Sequence, residues 1–71
     1  MQEKLKQISK IKLENSKTSK ERTKYEIINK ILNDDNCFQK MKTQTAYQLL
    51  YDLGFKEKEI KEIYNELIFD N

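Results

Sequence analysis

The side chains that could support chemistry in this 71-residue chain are a single cysteine, two adjacent aspartates and a group of glutamates near the C-terminus. Histidine is absent, so no Ser–His or Cys–His nucleophile pair can form. Cys37 has no second cysteine for an internal disulfide, and without histidine an ordinary zinc site is out of reach. Because Cys37 lies between Asn36 and Phe38, we predict a small buried hydrophobe rather than a reactive thiol.

The acidic residues are predicted to be structural. Asp34 and Asp35 are flanked by asparagines, and a group of side chains that compete for backbone hydrogen bonds is typical of a helix end. Two adjacent acids also supply too few converging oxygens for a hard cation. Glu57 precedes Lys61 at the spacing of an exposed, ion-paired helix face. A single glycine cannot make a phosphate-binding loop. We therefore predict no enzymatic activity, no metal and no cofactor.

Composition predicts one small domain. Hydrophobic residues and charged residues each make up 37% of the chain, which allows one modest core. No run of about 18 apolar residues is present, and the charged N-terminus lacks the apolar stretch of a secretory signal, so we predict a cytoplasmic protein without membrane association. A core of this size contributes little net stability, so a protein partner or a homodimer is expected. The lysine- and asparagine-rich composition is typical of phage or plasmid proteins.

Positive charge is concentrated at the N-terminus. Residues 1–24 carry eight basic and three acidic side chains, whereas residues 25–71 carry six basic and nine acidic ones. A basic segment on an acidic body is most often a solvated helix face, which is the favoured interpretation. The alternative is an electrostatic contact with nucleic acid. The basic residues of this candidate nucleic-acid surface are Lys4, Lys6, Lys10, Lys12, Lys17, Lys20, Arg22 and Lys24.

The spacing of apolar residues predicts an all-α chain, with no proline and no alternating strand pattern. A first helix is expected over residues 2–14. Residues 15–19 interrupt the apolar pattern, and Thr18 and Glu21 have the spacing of a capping box that would begin a second helix. A single helix continuing through residues 15–19 is the alternative, because no helix breaker lies there.

The second helix is expected to end near residues 33–36, after which Cys37, Phe38 and Met41 would pack as an apolar plug between helices. Three amphipathic helices are then expected to share a core. Their apolar positions are Tyr25, Ile28, Ile31, Leu32, Ala46, Leu49, Leu50, Leu53, Ile60, Ile63, Tyr64, Leu67 and Ile68, with Ile27 beside the first group.

The last two helices are expected to form a hairpin. Thr43 or Thr45 would cap the third helix, and the fourth would span about residues 56–68. Gly54 lies where a helix C-terminus favours a left-handed residue, and Phe55 would fold back onto the last turn. The predicted fold class is therefore all-α, a small three- to four-helix bundle with a helical hairpin turning at Gly54. A basic N-terminal helix or arm over 1–17 would precede a compact helical domain over 18–71.

The hairpin segment resembles the helix-turn-helix of DNA-binding regulators, in which two helices are joined by a short turn that often contains glycine. Gly54 falls on the turn glycine, and Leu50 departs from the pattern, since that position usually holds a small residue. Residues 56–66 carry three lysines and four glutamates and no arginine, which disfavours contact with phosphates and guanine. The positions that match the buried residues of that family are Leu49, Leu53, Phe55, Ile60 and Ile63.

The tripeptide Leu53-Gly54-Phe55 is also similar to the turn of ubiquitin-associated domains, which are small three-helix protein binders. This resemblance implies a protein partner and would place a third helix after Asn71.

Four aromatic residues are the candidate partner-binding side chains: Tyr47, Tyr51, Tyr64 and Phe69. Tyr47 and Tyr51 lie four positions apart, beside the leucine stripe of the third helix, and tyrosine is enriched at the centres of protein contacts. The alternative is that these rings only cover the edge of the core. We predict a non-enzymatic protein-binding module, such as an inhibitor, adaptor or accessory subunit, that occupies a partner's surface. The alternative function is a helix-turn-helix-like DNA-binding regulator with a basic arm.

Overall fold

A computed structural model describes residues 2–69 of the chain. In this range the protein is helical, with no strand, as the apolar spacing predicts. The helices are α1 (Gln2–Glu14), α2 (Ser19–Leu32), α3 (Cys37–Lys40), α4 (Thr43–Asp52) and α5 (Glu57–Phe69). The plug predicted after the second helix is α3, a single helical turn that buries Cys37 and Phe38.

A turn separates α1 from α2, so the alternative of one continuous helix is wrong. Thr18 has an extended backbone, and its side-chain oxygen accepts a hydrogen bond from Glu21 N at 3.1 Å. The Glu21 carboxylate accepts in return from Lys17 N at 3.2 Å, one residue earlier than in a standard capping box. These bonds satisfy backbone donors that have no partner inside the helix, and they confirm that α2 begins at this cap.

The start of α4 differs from expectation. Neither Thr43 nor Thr45 caps α4, because the extended residue before the helix is Lys42, which makes no side-chain capping bond. The Thr43 hydroxyl instead lies 3.2 Å from the Tyr64 hydroxyl on α5. At the start of α5, Lys56 N donates to the Glu59 carboxylate at 3.1 Å, which satisfies the backbone donor just before the helix.

The connection from α4 to α5 contains Gly54, whose φ of 103° favours glycine. Phe55 N donates to Leu50 O at 3.3 Å, and Gly54 N donates to Tyr51 O at 2.9 Å. This pair of bonds is a Schellman motif, which satisfies carbonyls at the end of a helix. Phe55 packs against the core but is half-buried, so it covers the turn rather than filling the interior.

A single cluster of buried side chains joins all five helices. Leu5 of α1 is in this cluster although it belongs to the segment predicted as a basic helix or arm; the division of the chain near residue 17 stays a prediction. α1 packs chiefly on α2, while α5 packs on both α3 and α4. The cluster consists of Leu5, Ile28, Leu32, Cys37, Phe38, Ala46, Leu49, Leu50, Leu53, Ile60 and Leu67.

Two long-range contacts tie the helices together at their ends. The Gln2 side-chain amide donates to Leu32 O at 3.1 Å and to Asp34 O at 2.7 Å, so the start of α1 is bonded to the end of α2 and to the turn that follows it. Ser9 on α1 is fully buried, and its hydroxyl has no hydrogen-bond partner within the described part of the chain. Its small size suits the close packing of α1.

Among residues 2–69, no helix has both the length and the apolar character needed to cross a membrane.

Candidate functional site

Two predicted tyrosines meet between α4 and α5. The ring centroids of Tyr47 and Tyr64 are 5.3 Å apart, and the ring planes are inclined by 77°. This edge-to-face arrangement is favourable for aromatic pairs. Both residues are half-buried, so each ring combines a core contact with an exposed edge. The hydroxyl contact between Tyr64 and Thr43 fixes the orientation of the Tyr64 ring.

Tyr51 extends this surface toward solvent. It lies one turn beyond Tyr47 on α4, and 66% of its surface is exposed. Tyr47, Tyr51 and Ile60 line a shallow depression of about 530 Å³, with Glu57 at one side. We call Tyr47, Tyr51 and Tyr64 the aromatic face.

Phe69 is separate from the aromatic face. It is the last residue of α5, and 80% of its surface is exposed. Five positions separate it from Tyr64, which is about 140° of rotation around the helix axis. Phe69 is therefore an exposed apolar side chain on a different side of α5. The structure brings together three of the four predicted partner-binding residues.

The predicted nucleic-acid residues are spread over two helices and the turn between them. Lys6 and Lys12 are half-buried, and the other six are exposed. Lys6 Nζ lies 3.4 Å from the Asp35 carboxylate. Lys24 Nζ lies 4.9 Å from the centre of the Tyr25 ring. Lys6 therefore has a carboxylate partner and Lys24 an aromatic one, while the other five exposed residues are accessible to solvent ions or phosphates.

The outer face of α5 has mixed charge. Lys56, Glu57, Lys58, Lys61 and Glu62 line one exposed depression there. Carboxylates interleaved with ammonium groups repel phosphates as often as they attract them. The helix that the helix-turn-helix resemblance would direct toward DNA therefore has an unfavourable surface.

Cys37 and Asp34 lie near the connection from α2 to α3. Burial raises the pKa of the Cys37 thiol, and the Asp34 carboxylate nearby raises it further, so this cysteine is held protonated. The Asn36 backbone N–H and the Lys40 ammonium lower the pKa of Asp34, each at 2.9 Å. Within residues 2–69, no three acidic, cysteine or histidine side chains converge as metal ligands would.

An apolar trough between α2 and α4 was not predicted. It has a volume of about 400 Å³, and Ile28 and Leu49 form its floor. Ile27 stands on its α2 wall with 54% of its surface exposed. The only signal in the sequence was that Ile27 lies beside the apolar stripe of α2, which widens that face on one side.

Comparisons with family models, with curated proteins and with solved structures give no match to this chain. A function is therefore inferred from the geometry of the aromatic face and of the trough.

Proposed function

We propose that this protein is a non-enzymatic binding module, such as an inhibitor, adaptor or accessory subunit, that acts by occupying a partner's surface. The observation that carries the proposal is the aromatic face. Tyr51 is exposed beside the edge-to-face pair of Tyr47 and Tyr64.

The physical support is the cost of ordering side chains on binding. Tyr47 and Tyr64 are already held by their mutual contact and by Thr43, so a partner that covers them has little rotamer freedom to remove. Tyrosine also offers a large apolar area and a hydroxyl that can bond across an interface. A preorganised ring pair next to one exposed ring is a favourable centre for a protein contact.

The test is affinity capture from the native host with matched variants. Tyr51→Ala should leave the helical circular dichroism signal unchanged and reduce capture of the partner by roughly tenfold or more, as expected for a central interface tyrosine. Ile11→Ala is the control, because Ile11 is similarly exposed, at 56%, but lies on α1. Equal capture by wild type and Tyr51→Ala would reject the aromatic face as the contact.

A DNA-binding regulator is the second candidate. The observation in its favour is the exposed group of lysines and Arg22 on α1, α2 and the intervening turn. Binding to duplex DNA should then weaken steeply with salt. Replacing Lys4, Lys10 and Lys17 by glutamine should weaken it at every DNA sequence. A tight complex with one defined sequence at physiological salt would favour this function over partner binding.

A homodimer also stays a prediction. Sedimentation at micromolar concentration should show a species heavier than 8.6 kDa. A single monomeric species at every concentration would contradict it.

A further inference from the structure

We infer that the trough between α2 and α4 is a docking site for one face of an amphipathic helix from a partner, with carboxylates along the flank that lies over α2. This surface differs from the aromatic face, so failure of this inference would leave the proposed function standing, and the reverse also holds.

The trough is long enough for a helix. Its first section contains Lys24 and Asp52, and a second section of about 380 Å³ contains Asp34 and Met41. The two sections share Ile31 and Thr45, so they are adjacent along α2 and α4. From Lys24 to Leu32, the last residue of α2, the helical rise amounts to about 12 Å, a little over two turns of an occupant helix.

The trough is apolar along its length. Ile28, Leu49 and Cys37 are buried at its floor, while Ile31 and Met41 are half-buried in its walls. An exposed apolar depression of this length is costly in water unless it is covered. The side chains that fill such a groove best are apolar residues spaced three and four apart on one helix face.

The charges at the rim indicate which flank of the occupant is acidic. Lys24 and Lys30 line the trough from α2, and neither has a carboxylate within salt-bridge distance in the described part of the chain. Asp34, at the far end, is already paired with Lys40 at 2.9 Å. Lys24 also lies over the Tyr25 ring at 4.9 Å, a contact that does not neutralise its charge, so the α2 wall keeps two ammonium groups that have no carboxylate partner among the described residues.

The α4 wall is different in character. Gln44, Thr45 and Gln48 contribute neutral polar groups, and Asp52 is the one acidic residue there, its carboxylate accepting from Gln48 at 3.1 Å. An occupant helix should therefore carry carboxylates over Lys24 and Lys30 and neutral residues over α4. Those lysines are six residues apart, which is about 9 Å along α2 and about 120° around its axis. Two carboxylates on one face of an occupant helix come closest to this spacing when they lie seven positions apart, about 10.5 Å.

A second copy of this chain is a poor occupant. Two copies that faced each other across the same surface would set one concave trough against another and leave both hollows unfilled. A convex helix ridge fills the depression, and helix-in-groove binding of this kind needs only one apolar face from the partner.

The experiment uses the full chain labelled with ¹⁵N and a synthetic helical peptide of about 15 residues. The peptide has leucines at three- and four-residue spacing and two glutamates about seven positions apart on one flank of that stripe. A matched peptide has lysine in place of both glutamates. Amide shifts locate each peptide on the protein, and fluorescence anisotropy measures its affinity.

The glutamate peptide should shift amides of α2 and α4 and bind about tenfold more tightly than the lysine peptide at low salt. The double variant Lys24→Glu/Lys30→Glu should reverse that preference. Lys4→Glu/Lys10→Glu, with the same change of charge on α1, should not. Ile27→Gln should weaken both peptides, whereas Ile11→Gln should weaken neither.

Three results would overturn the inference. In the first, neither peptide shifts the amides of α2 and α4 at millimolar concentration. In the second, both peptides bind equally, or they bind at the aromatic face. In the third, the same amides shift with protein concentration in the absence of peptide, which would make a second copy the occupant.

Discussion

The two flanks of α4 face different helices, α5 on one side and α2 on the other, and the surfaces formed on the two sides differ. Toward α5, Tyr47 meets Tyr64 at 5.3 Å, and the tyrosine rings border a shallow depression of about 530 Å³. Toward α2, Leu49 and Thr45 are shorter, and an apolar trough of about 400 Å³ stays open. One helix therefore presents an aromatic surface on one side and an aliphatic groove on the other.

The comparison shows that side-chain volume between helices decides what kind of surface results. The rings on the α5 side reach across the gap and contact each other. On the α2 side the opposing residues are Ile27 and Ile31, which line the trough with Thr45. A filled interface contributes contacts to folding, while an open one keeps apolar area available for another molecule.

The largest expected effect comes from the buried side of α4, which lies between its two flanks. Leu50 is fully buried in α4, and Leu50→Ala should lower the free energy of unfolding by about 2–5 kcal/mol. That is a large fraction of the stability of so small a domain. Urea denaturation followed by circular dichroism measures the change. Gln44→Ala is the control, because Gln44 is exposed on the same helix. Equal free energies of unfolding for the two variants would mean that Leu50 does not stabilise the packing of α4.

A smaller loss of stability is expected when Gly54, in the turn between α4 and α5, is replaced. Gly54→Ala should cost about 1–2 kcal/mol, because φ at this position is 103°. The added carbon would lie 3.5 Å from Lys12 Nζ, an ordinary contact, so backbone strain rather than a clash causes the loss. Gly54→Asn should lose less, since asparagine tolerates positive φ better. Identical losses for both variants would point to a steric cause instead.

An aromatic ring placed in the trough should make the α2 side of α4 resemble its α5 side. Thr45→Tyr places a ring on the α2 side of α4, and it should raise the free energy of unfolding by about 0.5–1 kcal/mol, as cavity-filling changes commonly do. The same variant should lose binding of the glutamate peptide. Gln7→Tyr, which places the same ring at an exposed position of α1 away from the trough, is the control. Unchanged peptide affinity in Thr45→Tyr would show that the occupant does not use the trough.

The smallest expected effect is a pH-dependent contribution to stability from Asp34, which lies at the far end of the trough from Lys24. Because the folded-state pKa of Asp34 is lowered by Asn36 and Lys40, its stabilisation is present above about pH 4 and is lost as pH falls through the folded-state value. Asp34→Asn should therefore have a lower melting temperature than wild type at pH 7, and this difference in melting temperature should disappear near pH 2. A difference that is the same at both pH values would contradict this assignment.

The helices and their ends were largely predictable from the sequence. Thr18 with Glu21, the polar residues 33–36 and Gly54 with Phe55 are local signals, and each marks the end or start of a helix at its expected place. Such signals succeed because capping bonds join residues only a few positions apart. The caps proposed at Thr43 and Thr45 were wrong because Lys42, not a threonine, precedes the first helical residue.

The surfaces were only partly predictable. Tyr47 and Tyr51 shared a side of one helix in the sequence, but the contact of Tyr47 with Tyr64 depends on how α5 packs on α4. The sequence by itself determined where the helices lie and which face of each is apolar, since both depend on residues within one or two turns. The burial of Ser9, the half-burial of Phe55 and the open trough beside Ile27 were decided only by the tertiary structure. The physical reason is that the space between two helices depends on the volumes of side chains far apart in the chain.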